Sequence, residues 1–134
     1  MTDSLIEATA HRIFSEHVST RLITAAEQGP LPAAVWQAVE EAGLPRGLVP
    51  EEAGGFGMPA AEALSVLRVA GGHAAPLPLA ETMAASWLLA GAGLEIPDGP
   101  LTITPIARVE TLSLTRRGAE WHLGGTATRI PWGR

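Results

Sequence analysis

The stretch LPRGLVPEEAGGFGM, residues 44–58, lies between two segments of helical periodicity, and the rest of the chain is read from it. Pro50 fixes one φ angle, while Gly54, Gly55 and Gly57 admit backbone conformations that other residues avoid. A flexible linker would be richer in Ser or Lys and would not need Glu51 and Glu52 beside a glycine cluster and a lone Phe56. The stretch therefore predicts a shaped loop joining two helices. The plainer alternative is a tight helix-to-helix turn.

Upstream, Ser4 and Glu7 have the spacing of a capping box. Ile6, Ala10, Ile13, Phe14, Val18, Leu22 and Ala25 recur at three- and four-residue steps, predicting one helix from residue 4 to about 27, ended by Gly29 and Pro30. Pro32 suits the first turn of a second helix and Gly43 the position past its end. Val35, Trp36, Val39 and Ala42 form its buried side, with Trp36 as a core anchor rather than a cofactor-stacking ring. Downstream, Pro59 opens a third helix through Ala63, Leu64, Val66, Leu67 and Ala70, stopped by Gly71 and Gly72. It is apolar enough that cover on more than one side is expected. Pro78 starts a fourth helix carrying Met83, Trp87, Leu88 and Leu89, ahead of Gly91 and Gly93.

From Leu94 the pattern changes. Pro97, Asp98, Gly99 and Pro100 form a turn cluster, after which residues 101–105, 107–115 and 119–130 show the alternation and β-branched content of strands. Arg116, Arg117 and Gly118 read as a hairpin tip that would pair residues 111–115 with 120–124. The expected fold class is α+β: an amino-terminal bundle of about four helices over residues 1–96, then a short antiparallel segment over 97–134. Three or four strands there would be the start of an incomplete β domain, unable to cover its own apolar face.

With 46% hydrophobic and 17% charged residues the chain is globular. A net charge of −5 and the absence of any lysine argue against a nucleic-acid surface. There is no cysteine for disulfides, thiolate catalysis or metal ligation. The acidic amino terminus is unlike a signal peptide and no apolar run reaches membrane-spanning length, so a soluble cytoplasmic protein without a membrane partner is expected. The four histidines are scattered, and His11 and His17 are six apart rather than four, so no metal site is expected. Gly91 and Gly93 follow a helix, where a dinucleotide loop follows a strand. Glu40, Glu41, Glu51 and Glu52 read as solvated faces, and no catalytic residue is assigned.

The segments WQAVEEAGL (residues 36–44) and VPEEAGGFGMPAAEALSVL (49–67), followed by a Pro-rich joint at 75–78, another helix and short strands, resemble the acyl-CoA dehydrogenase family. The likeness covers that family's amino-terminal helical domain and the opening of its middle β domain. It implies FAD-dependent α,β-dehydrogenation of an acyl-CoA thioester in fatty acid metabolism, in which a carboxylate removes the α proton and flavin takes the β hydrogen as hydride. LTITP, residues 101–105, is similar to the family's Thr-Glu-Pro loop and places Thr104 at the flavin. Residues 124–133 resemble its Trp-Ile-Thr segment, with Ile130 matching and Arg129 and Pro131 replacing Trp and Thr.

The glycine-rich acidic continuation is missing, since Ile106 runs straight into the next strand, and nothing corresponds to the carboxyl-terminal helical domain that carries the base. The resemblance thus implies a chain that binds FAD and acyl-CoA only within a complete assembly. It would be either a truncated piece of a dehydrogenase or one degenerate chain of a heteromeric assembly whose partner supplies the missing parts, and a homo- or hetero-oligomer is expected in either case. A different class of function, a non-catalytic helical interaction module with a β appendage, is the alternative.

Overall fold

The structure is a computed structural model describing residues 4–104 and 111–133. The chain divides into two compact units, residues 1–101 and 102–134. In the first, α1 (Leu5–His17) begins at Ser4, whose Oγ accepts the Glu7 N–H at 3.2 Å. Ala10, Ile13 and Phe14 are buried, with Ile6, Val18 and Leu22 packed beside them. The single helix expected to run to residue 27 is instead two. Val18 turns extended at φ −102°, ψ 117°, and Ser19 Oγ accepts the Leu22 N–H at 3.2 Å, starting α2 (Thr20–Ala26). A serine side chain that caps the next turn competes with the backbone ladder, and here it wins. The break also rotates the second segment, so that Ala26 rather than Ala25 is buried.

α3 (Ala33–Glu41) follows Pro32 and buries Val35, Trp36 and Val39. Trp36 is core, 6% exposed, although its Nε1 has no partner among the described residues. Left-handed Gly43 ends the helix at φ 72°. A 3₁₀ turn (Leu44–Arg46), a second one (Glu51–Ala53) and the residues between them and α4 (Ala60–Gly72) form the shaped loop. Its two limbs hydrogen-bond each other: Met58 N–H to Gly47 O at 2.7 Å, Gly57 N–H to Val49 O at 2.8 Å and Phe56 N–H to Arg46 O at 3.4 Å. Leu44 and Val49 are wholly buried, so the loop carries core residues of its own.

α4 buries Ala63, Val66, Val69 and Ala70 against α1, while Leu64 on its far side is 66% exposed, so cover on several sides is not what this unit provides. Gly71 and Gly72 lie inside the last turn rather than beyond it. Pro76 disfavours a helical Ala75, and the chain reverses at Ala74, held at φ 49° with Ala75 N–H bonded to Ala70 O at 3.0 Å. α5 (Leu79–Gly91) packs on the Leu44–Arg46 turn and buries Leu79, Thr82, Met83, Ala85 and Ser86. Thr82 Oγ1 accepts the Leu101 N–H at 3.0 Å. Among the described residues no helix is long and apolar enough to cross a membrane.

In the second unit β1 (Leu112–Arg117) pairs antiparallel with β2 (Glu120–Gly125), Leu112 opposite Gly125 and Arg117 opposite Glu120. The expected tip at residues 116–118 moves outward by one position to Gly118 and Ala119. Gly118 takes the positive φ (64°) that the first position of a two-residue hairpin turn favours. That register sets opposite charges across the last pair and puts the Arg116 guanidinium 5.8 Å from the Trp121 ring centre. The described residues hold two strands, not three or four, because Leu101–Thr104 runs without a partner strand. Residues 105–110, which take in the end of the expected first strand and the start of the second, lie outside the described residues.

Two stability outcomes follow. A Cβ on Gly55 would fall 2.1 Å from the Val49 carbonyl oxygen, whereas one on Gly54, at φ +83°, would meet only Arg46 Nη1 at an ordinary 3.9 Å. Gly54→Ala should therefore cost about 1–2 kcal/mol of left-handed strain. Gly55→Ala should cost more, because backbone must move, and Glu51→Gln should leave the melting temperature unchanged. Conversely, Ala74→Gly should stabilise the fold by about 1 kcal/mol in urea unfolding by removing the left-handed penalty.

Candidate functional site

The shaped loop forms one wall of a cleft of about 360 Å³, completed by the end of α3, one face of α5 and the turn at residues 97–99. Among the described residues that line it, Arg46 is the one cation. The Leu44–Arg46 turn aims this side chain at the far side, where Nη2 donates to Ile96 O at 3.2 Å and to Asp98 Oδ1 at 3.1 Å. Glu40 and Glu41 line the rim, and the Thr82 and Ser86 side chains are buried at the α5 wall. With its guanidinium paired to Asp98 and to the Ile96 carbonyl, Arg46 works as a strut between loop and turn rather than as a free cation in the cleft.

A second polar cluster lies in the seam between α1 and α4. Glu7, its side chain only 10% exposed, accepts from Arg68. One turn further along α1, His11 Nδ1 stands 3.4 Å from His73 Nε2, the two rings edge-on with centroids 5.6 Å apart. Phe14 packs beside His73 at 6.1 Å. Sequence spacing tests histidines within one helix, so a pair joined by tertiary packing across 62 positions leaves no periodic signal. His17 is not part of it, and His122, in the other unit, faces Glu120 at 3.7 Å on the hairpin. No group of three or more His, Cys, Asp or Glu converges among the described residues.

The two residues read as flavin contacts both fall in the 102–134 unit, and both are half-buried. Thr102 Oγ1 donates to Pro131 O at 2.5 Å, which ties the segment bearing Thr104 to the one bearing Ile130. The strands expected over 101–105 and 119–130 do not include these two residues. Thr104 lies in irregular chain, and Ile130 opens a tight turn closed by Gly133 N–H on Ile130 O at 3.1 Å, with Arg129 and Trp132 at positive φ. Pro131 explains the difference for Ile130: it has no N–H to offer a ladder. The hairpin nearby is exposed along all of β2, Trp121 at 62% and Leu123 at 72%.

A family model described as "Acyl-CoA dehydrogenase, N-terminal domain" matches residues 2–95. Neither a curated protein nor a solved structure gives a significant match.

The Glu7–Arg68 pair gives a testable asymmetry. Arg68→Ala leaves a buried carboxylate without its cation and should cost about 1–3 kcal/mol, towards the lower end because water reaches the arginine side. Glu7→Gln should cost less, and the double variant should unfold in urea close to Glu7→Gln alone.

Proposed function

Because the chain belongs to the acyl-CoA dehydrogenase family through its amino-terminal domain, we propose that it serves FAD-dependent α,β-dehydrogenation of an acyl-CoA thioester. Its contribution is the helical domain and the opening of the flavin-facing β domain. The match over residues 2–95, which takes in the shaped loop and all five helices, carries this reading. Bound FAD supplies the hydride acceptor. The chain's own part is to present Thr104, a hydrogen-bond donor, and Ile130, an apolar contact, at one edge of the flavin. The Thr102–Pro131 bond supports this, since it joins the segments that carry them.

These residues do not by themselves fit a tightly held flavin. One hydroxyl and one aliphatic side chain, beside a hairpin with no buried face on β2, leave an aromatic ring system without walls. A polypeptide of these 134 residues is therefore proposed to retain neither FAD nor acyl-CoA. Trp87, Leu88 and Leu94, between 52% and 60% exposed, form the apolar surface proposed to be covered by the rest of the assembly or by a second copy.

Mixed with FAD and desalted, the 134-residue chain should emerge colourless, and stoichiometric yellow protein would overturn the proposal. In a flavin-loaded assembly that contains the chain, Thr104→Val should weaken flavin retention by about 1 kcal/mol, roughly fivefold, through one lost hydrogen bond. Unchanged retention would remove Thr104 from the site.

A further inference from the structure

The α1–α4 seam brings together two imidazole nitrogens from parts of the chain that share no local motif. At 3.4 Å, His11 Nδ1 and His73 Nε2 are further apart than the roughly 3 Å of a well-formed N–H hydrogen bond. Their separation instead matches the span between two ligands of one tetrahedral cation: with metal–nitrogen bonds of about 2.0–2.1 Å, adjacent donors lie about 3.3–3.4 Å apart. The geometry points to a two-histidine site for a first-row transition-metal dication, Zn²⁺ or a metal of similar preference, that clips α1 to α4.

Three features around the pair agree with this. His73 is the residue that caps α4, so it stands at the negative end of a 13-residue helix dipole, which favours a cation. Both rings have defined places: His11 lies within α1, and His73 is packed against Phe14 while its backbone N–H is held by Val69 O at 3.1 Å. His11 is exposed and His73 half-buried, so a metal reaches them from solvent and keeps water in its remaining positions. Glu7, one turn back on α1, is engaged by Arg68 of α4 and does not complete the set. Two neutral imidazoles with water ligands make an exchangeable site, and its effect is to hold the amino-terminal helix on the bundle.

The test uses the full chain freed of any polyhistidine tag, titrated with Zn²⁺ by calorimetry and followed by thermal unfolding, with Mg²⁺ as control. One Zn²⁺ should bind per chain and the melting temperature should rise with Zn²⁺ concentration, while Mg²⁺ does neither. His11→Gln and His73→Gln should each abolish the shift, with far-ultraviolet circular dichroism confirming that they remain helical. His17→Gln and His122→Gln should preserve it. A reading independent of stability is Cu²⁺ electron paramagnetic resonance, where coupling to two imidazole nitrogens should fall to one in either seam variant. Absence of binding at millimolar Zn²⁺, or binding undiminished in His11→Gln, would overturn the site.

Discussion

The helical unit depends on one close approach, the passage of Gly55 over the Val49 carbonyl. No side chain fits between them, since even a methyl carbon would sit 2.1 Å from that oxygen. Because the outgoing limb can come so near, its N–H groups reach the carbonyls of Arg46, Gly47 and Val49, and the loop closes on itself rather than on solvent. A loop closed in this way is firm enough to contribute Leu44 and Val49 to burial and to seat α5 on its first turn. It also directs Arg46 across to Ile96 and Asp98, so the chain's departure from the bundle is tied to the element at its centre.

Much of this architecture was legible where a residue type has one physical meaning. Pro59 and Pro78 mark helix starts because a missing N–H does no harm there, and Gly43 marks an end because the chain must turn left-handed. Trp36 among apolar neighbours at helical spacing is core, as that spacing implies. The misreadings fell where two signals compete. Ser19 sits inside an unbroken apolar stripe, and periodicity does not register that its hydroxyl offers the backbone a better partner. Gly71 and Gly72 do end α4, as read, but the left-handed reversal falls two residues later on Ala74, ahead of Pro76. In the hairpin, cross-strand pairing of Arg117 with Glu120 outweighs the expectation that adjacent arginines belong in a turn.

The chemistry was less legible than the fold. The groups that meet in space, Glu7 with Arg68 and His11 with His73, come from helices about sixty residues apart and share no spacing rule. Thr104 and Ile130 stand out only through likeness to a family, because a threonine and an isoleucine in irregular chain have no pattern of their own. In the helical unit the described residues carry the signature of packing more strongly than that of reaction.

The loop's self-closure bears on how this family can diverge. Since the limbs pair residue against residue, an inserted or deleted amino acid between Arg46 and Met58 would slide one limb past the other and move the Gly55 passage off the Val49 carbonyl. Substitutions at the exposed Glu51, Glu52 or Ala53 disturb none of those bonds. Descendants of this sequence should therefore vary in the letters of the loop while keeping its length, and gain or lose residues instead around Gln28, where the chain between α2 and α3 is exposed.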